Sequence, residues 1–179
     1  MKDENAALDN TKRSDRMSGT SLRPWQQENV DSLSDHRNDR DVIWGEDCVG
    51  NTGKISIASY LRSEKGSIAF TNTSERDIAY AYNGQSTVCF DFSRGMGANL
   101  ELTVVEHIKN SYVFSSNHQS EVKEFDPLCV LCLANCLPCR RKLSTDRWVV
   151  YSIIDGKLSR LLCFNSLDKC TENHFCNNK

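Results

Sequence analysis

Long apolar runs are missing from this chain. No stretch approaches the ~18 consecutive apolar residues of a spanning helix, so no transmembrane segment is expected. An apolar signal core is missing too. Met1 to Arg40 is polar and mixed in charge, which excludes a secretory signal pattern. The expected compartment is therefore cytoplasmic, where thiols stay reduced. Charge of one sign is also lacking. Twenty-two Lys and Arg face 24 Asp and Glu, for a net charge of −2, which gives no reason to expect attraction to nucleic acid. Proline is scarce, three in 179 residues, and none falls between Trp44 and Asp126. That suits a sheet that needs its backbone donors.

Catalytic patterns are equally thin. There is no nucleophile elbow and no His-Glu-x-x-His. His107 follows Glu106 with no motif around either, and His118 sits in a polar segment. Ser93-Arg94-Gly95-Met96-Gly97 is rich in glycine but lacks the Lys-Ser/Thr of a phosphate-binding loop. These absences predict a protein that is not an enzyme and that takes no cofactor beyond a possible zinc ion.

What is present is alternation. Ile68 and Phe70, then Ile78, Tyr80 and Tyr82, then Val88, Phe90 and Phe92 recur with a period of two, which sets each group on one face of a strand. Asn83-Gly84 between two such runs is a hairpin signal, and Asp155-Gly156 repeats it between Trp148–Ile154 and Lys157–Phe164. Leu100, Leu102 and Val104 alternate with polar residues over 99–108. Gly50-Asn51-Thr52-Gly53 reads as a turn cluster, followed by a run from Lys54 to Leu61 with Ile55, Ile57 and Leu61 on one face. Runs at the roughly 8–12-residue spacing of a two-sheet fold predict an all-β, Ig-like antiparallel β-sandwich over 41–164. Residues 1–40 form a disordered polar arm, because they hold too little apolar surface to offset the entropy of ordering. Pro24-Trp25 is a candidate docking motif within it. Residues 165–179 form a polar C-terminal tail.

Cysteine is plentiful: nine residues, an odd number that a complete disulfide framework would not use up. Cys129, Cys132, Cys136 and Cys139 fall in a cysteine-rich insertion at 126–142. Thiolates at Cys-x-x-Cys spacing can bind zinc, although the two pairs lie closer together than in a zinc ribbon. S-acylation beside Arg140-Arg141-Lys142 is a second reading, with peripheral membrane contact through 129–142. Plain burial of small apolar thiols is a third. A further tetrahedral set could draw on Cys163, Cys170, His174 and Cys176.

The stretch Ala69-Phe70-Thr71-Asn72-Thr73-Ser74-Glu75-Arg76-Asp77-Ile78-Ala79-Tyr80 resembles the signature of major sperm protein domains. Gly95 to Val105 resembles that family's loop into a Leu-rich strand, and Ser144 to Tyr151 is similar to its late strand. The resemblance spans about 41–154. Tyr82-Asn83-Gly84-Gln85 departs from it, standing where the family has a basic turn. The resemblance implies an Ig-like sandwich with a cytoskeletal or scaffold role; exposed sheet edges point to a protein partner or self-association, and the balanced charge to no nucleic-acid partner. A metal-binding or S-acylated membrane-associated adaptor is one alternative. A small viral matrix-type structural protein, which pairs a charged arm with a β-rich domain, is another.

Overall fold

The computed structural model describes residues 21–71, 73–92, 102–115 and 121–164. Its centre is a six-stranded sheet built from β1 (Val42–Glu46), β2 (Ile68–Phe70), β3 (Thr87–Asp91), β6 (Cys129–Ala134), β7 (Trp148–Ile154) and β8 (Lys157–Arg160). The spatial order is β2-β3-β6-β1-β7-β8. Every pairing is parallel except that of β7 with β8. A separate antiparallel pair joins β4 (Tyr112–Ser115) to β5 (Glu121–Glu124). Among the described residues the helices are α1 (Pro24–Ser32), α2 (Lys54–Lys65), α3 (Glu75–Ala81) and α4 (Thr103–Lys109). The chain is therefore mixed α/β, not the expected all-β antiparallel sandwich.

The correction has a physical cause in each segment. A parallel sheet covered on both faces turns its strands into continuous apolar runs, without alternation. Val42-Ile43-Trp44 and Cys129-Val130-Leu131-Cys132-Leu133-Ala134 are such runs, buried throughout. The presumed cysteine-rich insertion thus begins with a central strand. The run after Gly53 is helical: Ile57, Ala58 and Leu61 are buried at helix spacing while Ile55 is exposed. The run through Ile78 is helical as well. Ser74 caps α3 by accepting the Asp77 amide, a bond that satisfies one orphan donor of the first turn. Ile78 and Tyr82 then point inward four residues apart while Tyr80 is exposed. Val104, Val105 and Ile108 likewise line the buried face of α4. Asn83-Gly84 links α3 to β3 and closes no hairpin. Asp155-Gly156 does close one, with φ of 50° and 74°, the left-handed pair of a type I′ turn.

Each sheet face carries its own core. Val42, Trp44, Phe90, Val130, Cys132, Trp148 and Val150 face α3 and α4. There Trp44 stacks on Phe92 at 5.6 Å and meets Trp148 edge-on at 5.8 Å. Ile43, Cys89, Cys129, Leu131, Leu133 and Ile153 face α1 and α2. The arm expected to be disordered is ordered over α1, which buries Trp25 completely. Burying an aromatic of this size is worth roughly 2–3 kcal/mol, and with buried Leu33 it anchors this polar helix on the sheet. Residues 1–20, 93–101 and 165–179 lie outside the described residues.

Candidate functional site

Strand β1 lies between β6 and β7: the chain runs from β1 to the β2 edge, builds back through β3 to β6, and then crosses past β1 to β7 on its other side. In open parallel sheets the crevice at the carboxyl ends of the strands, where the order reverses, is where ligands bind. Here that place holds the loop Asp47–Gly53 and the N-terminus of α2. Gly50 (φ 86°), Asn51 (φ 63°) and Gly53 (φ 100°) are all left-handed. A Cβ on Gly53 would sit 2.8 Å from Gln26 Nε2, so the position demands glycine twice over.

The arm fastens the loop from behind. Arg23 Nη1 donates to Thr52 O at 2.6 Å, Trp25 Nε1 to Thr52 O at 3.1 Å, and Gln26 Nε2 to Gly53 O at 2.8 Å. From the sheet side, Asn135, one residue past β6, donates to Asp47 O at 2.6 Å. The Asp47 amide in turn donates to Ala134 O at 2.9 Å. On β7, Ser152 Oγ donates to Glu46 Oε2 at 2.6 Å.

Inside the loop the charged groups converge. Lys54 Nζ donates to Asp47 Oδ2 at 2.9 Å. Thr52 Oγ1 donates to the same oxygen at 2.7 Å, and the Gly50 amide to Oδ1 at 2.7 Å. Burial pushes the Asp47 carboxyl up. The hydrogen bonds from Lys54, Thr52 and Gly50, with the Lys54 charge, outweigh it and hold the group below the usual carboxylate range. Asp91 ends β3. Burial pushes its carboxyl up, and the charge of Lys54 offsets only part of that.

A strand, a loop ending in Gly-Lys and a helix is the setting of a phosphate-binding loop, whose amides and Lys cradle phosphates. Such a loop reads Gly-x-x-x-x-Gly-Lys-Ser/Thr. Here Gly53-Lys54 is present, Cys48 stands for the first Gly, and Ile55 stands for the Ser or Thr. An acidic residue at the end of a second strand holds Mg²⁺ beside the phosphates in such sites, and Asp91 is so placed. Ile55 offers no hydroxyl for the ion, so the metal-binding half of the pattern is only partly met.

The cysteine reading fares differently. Cys129 and Cys132 point to opposite faces of β6, one into each core, so they cannot share an ion. Burial raises both thiols, Cys129 to about 12. Cys136 and Cys139 lie half-buried beyond the strand, and Trp44 Nε1 fixes Cys136 O at 2.9 Å. Among the described residues no group of three or more His, Cys, Asp or Glu could hold a metal. Residues 129–134 are buried and present no surface to a membrane, and no described helix is long and apolar enough to cross one. His107 Nδ1 lies 2.6 Å from Glu75 Oε1, tying α4 to α3. His118 and the set of Cys170, His174 and Cys176 lie outside the described residues, as does the side chain of Cys163.

No protein-family model matches the chain. The master replication protein of Milk vetch dwarf virus (isolate N) is 35% identical over 129 residues, 72% of this chain and 44% of that protein. That of Faba bean necrotic yellows virus (isolate Syrian SV292-88) is also 35% identical, with the same coverage. That of Subterranean clover stunt virus (strain F) is 34% identical over 127 residues, 71% of this chain and 44% of that protein. The relatives are viral replication proteins. This chain spans less than half their length. The A-form apo structure of the NrS-1 C-terminal region overlays with a TM-score of 0.43 at 14% identity, covering 69% of this chain and 32% of that one. The fold assignment rests on the strand order instead.

These relatives overturn the major sperm protein resemblance. They also overturn the scaffold, adaptor and matrix-type roles, the non-enzymatic expectation and the exclusion of nucleic acid. The marker behind the resemblance was short. Ala69-Phe70 belongs to a parallel strand, and Ile78-Ala79-Tyr80 to a helix. The missed signal was Gly50-x-x-Gly53-Lys54 between a buried strand and a helix, masked by Cys48 and Ile55 at the two ends of the pattern.

Proposed function

We propose that this chain is the nucleoside-triphosphate-handling part of a replication protein that acts on nucleic acid. One observation carries the first half. Gly53 and Lys54 open α2 directly after the central strand, and Asp91 ends a strand of the same sheet. The loop amides, the α2 dipole and Lys54 present positive charge to phosphate oxygens. Asn135 fixes the root of the loop, the main chain of Asp47, to the end of β6. The viral relatives, all of them replication proteins, support the second half.

The test is titration of a fluorescent triphosphate against the full chain and its Lys54→Ala variant. Saturable binding is expected in the parent, competed by inorganic pyrophosphate and lost in the variant. Equal binding by the two proteins overturns the reading.

A further inference from the structure

The phosphate cradle already contains an anion, and the chain supplies it. Asp47 is completely buried. Its Oδ1 accepts the Gly50 amide, and its Oδ2 accepts Thr52 Oγ1 and Lys54 Nζ, at 2.7, 2.7 and 2.9 Å. The Thr52 amide lies 3.4 Å from Oδ2. Loop amides, a hydroxyl and the loop lysine are the donors that a phosphate-binding loop turns toward phosphate oxygens. A carboxylate takes charge-assisted bonds from the same donors. Lys54 is itself nearly enclosed, with 11% of its side chain exposed, so it is committed to Asp47 and not extended into solvent. A buried carboxylate and an entering phosphate cannot share these donors, because two anions at such range repel.

We propose that Asp47 is an intramolecular stand-in for phosphate that closes the nucleotide site, and that triphosphate binding requires its carboxylate to leave the loop. This rests on the nucleotide reading above. The main-chain anchors show how the exchange can occur without unfolding. Asp47 N and O are pinned to Ala134 and Asn135, while the carboxylate is held by Gly50 and Thr52 of the loop and by Lys54 at the start of α2. Rotation of the side chain, with a shift of 48–52, frees Lys54 and leaves the end of β1 in place. The apparent affinity of such a site falls by the fraction of time it stands open.

The experiment compares labelled triphosphate binding by the full chain with that of its Asp47→Asn and Asp47→Ala variants, and repeats each of the three with Lys54→Ala added, with circular dichroism as the check on folding. Removing the charge is expected to tighten binding by about tenfold or more, and Lys54→Ala to abolish it in every background. In the parent protein, the ¹³C resonance of the Asp47 carboxyl is expected to shift as inorganic pyrophosphate is added, because it loses Lys54 as a partner. Variants that bind no more tightly than the parent, or a carboxyl resonance unmoved at saturating pyrophosphate, overturn the proposal while leaving the nucleotide reading intact. If no folded protein in the set binds triphosphate at millimolar concentration, the nucleotide reading fails and this proposal with it.

Discussion

Replacing Gly53 with alanine tests how the arm, the loop and the site depend on one another. The residue has φ of 100°, where an L side chain costs about 1–2 kcal/mol. The new Cβ would also lie 2.8 Å from Gln26 Nε2. Gln26 cannot simply swing aside. It is buried, its Nε2 donates to Gly53 O at 2.8 Å, and its Oε1 accepts the Arg23 amide at 2.8 Å. Displacing it costs one or two further hydrogen bonds, at about 1 kcal/mol each. The sum is about 2–4 kcal/mol. Gly84→Ala is the control, with φ of 77° and nothing within 4 Å of its added Cβ. It carries the backbone cost alone, about 1–2 kcal/mol. For a domain of this size each kcal/mol moves the melting temperature by about 2–4 °C. Thermal melts followed by circular dichroism should therefore drop by about 10 °C for Gly53→Ala and by about 4 °C for Gly84→Ala. Triphosphate binding should fall only in the first, because Lys54 follows Gly53 directly. Equal melting shifts, or a Gly53→Ala protein that binds as the parent does, would refute the reasoning.

Lys109→Met should cost about 2–5 kcal/mol in urea unfolding. Lys109 is buried and donates to Asn38 O and, at 2.7 Å, to Leu128 O, so the variant strands two carbonyls. An unchanged unfolding midpoint would contradict this. Asp47 sets part of the acid limb of stability. Its folded-state carboxyl lies below its unfolded value of about 3.9, so its contribution is complete above that pH and is lost as the pH falls through the folded value. Asp47→Asn should flatten the stability curve below about pH 4, and a limb of unaltered slope counts against the ion pair. Ile55 is 74% exposed, so Ile55→Thr should leave the melt unchanged. It places a hydroxyl where such loops hold Mg²⁺, and Mg²⁺-dependent phosphate release should rise. No gain over the parent would mean that residue 55 does not face the ion.

Legibility followed the local chemistry. The Asp155-Gly156 hairpin was readable, because two left-handed residues in a row are a demand that few sequences meet. The β3 run was readable for its apolar alternation. Helices α2 and α3 were not, because a few apolar residues two or four apart fit both periods, and the choice is made by what covers them. Ile57 and Leu61 turn inward because α1 and β6 supply an apolar wall there, which no local window contains. The cysteines of 129–132 looked like chemistry because of their spacing. Their role is packing, decided by a strand that sends them to opposite faces. Trp25 was legible as an aromatic in a polar arm, but its place over the loop was not. The loop proposed to bind phosphate was half visible. Its Gly-Lys step and preceding strand were in plain sequence, while Cys48 and Ile55 removed the terminal residues by which such loops are recognised.

Those departures share a location. Gly53, Lys54, Asp91 and Asn135 belong to the frame of the site, fixed by a left-handed turn, a helix start and two strand ends. Asp47, Cys48 and Ile55 lie in or beside the loop, where a side chain can change without moving a strand. Gly53 adopts a conformation costly to any other residue, and Asn135 ties the loop to β6. Once Asp47 leaves, Lys54 is without its ion-pair partner at the carboxyl end of the sheet, and Asp91, whose carboxyl burial already pushes up, is the acidic group on which its charge acts. That residual pair is what a phosphate and its cation would meet on entering.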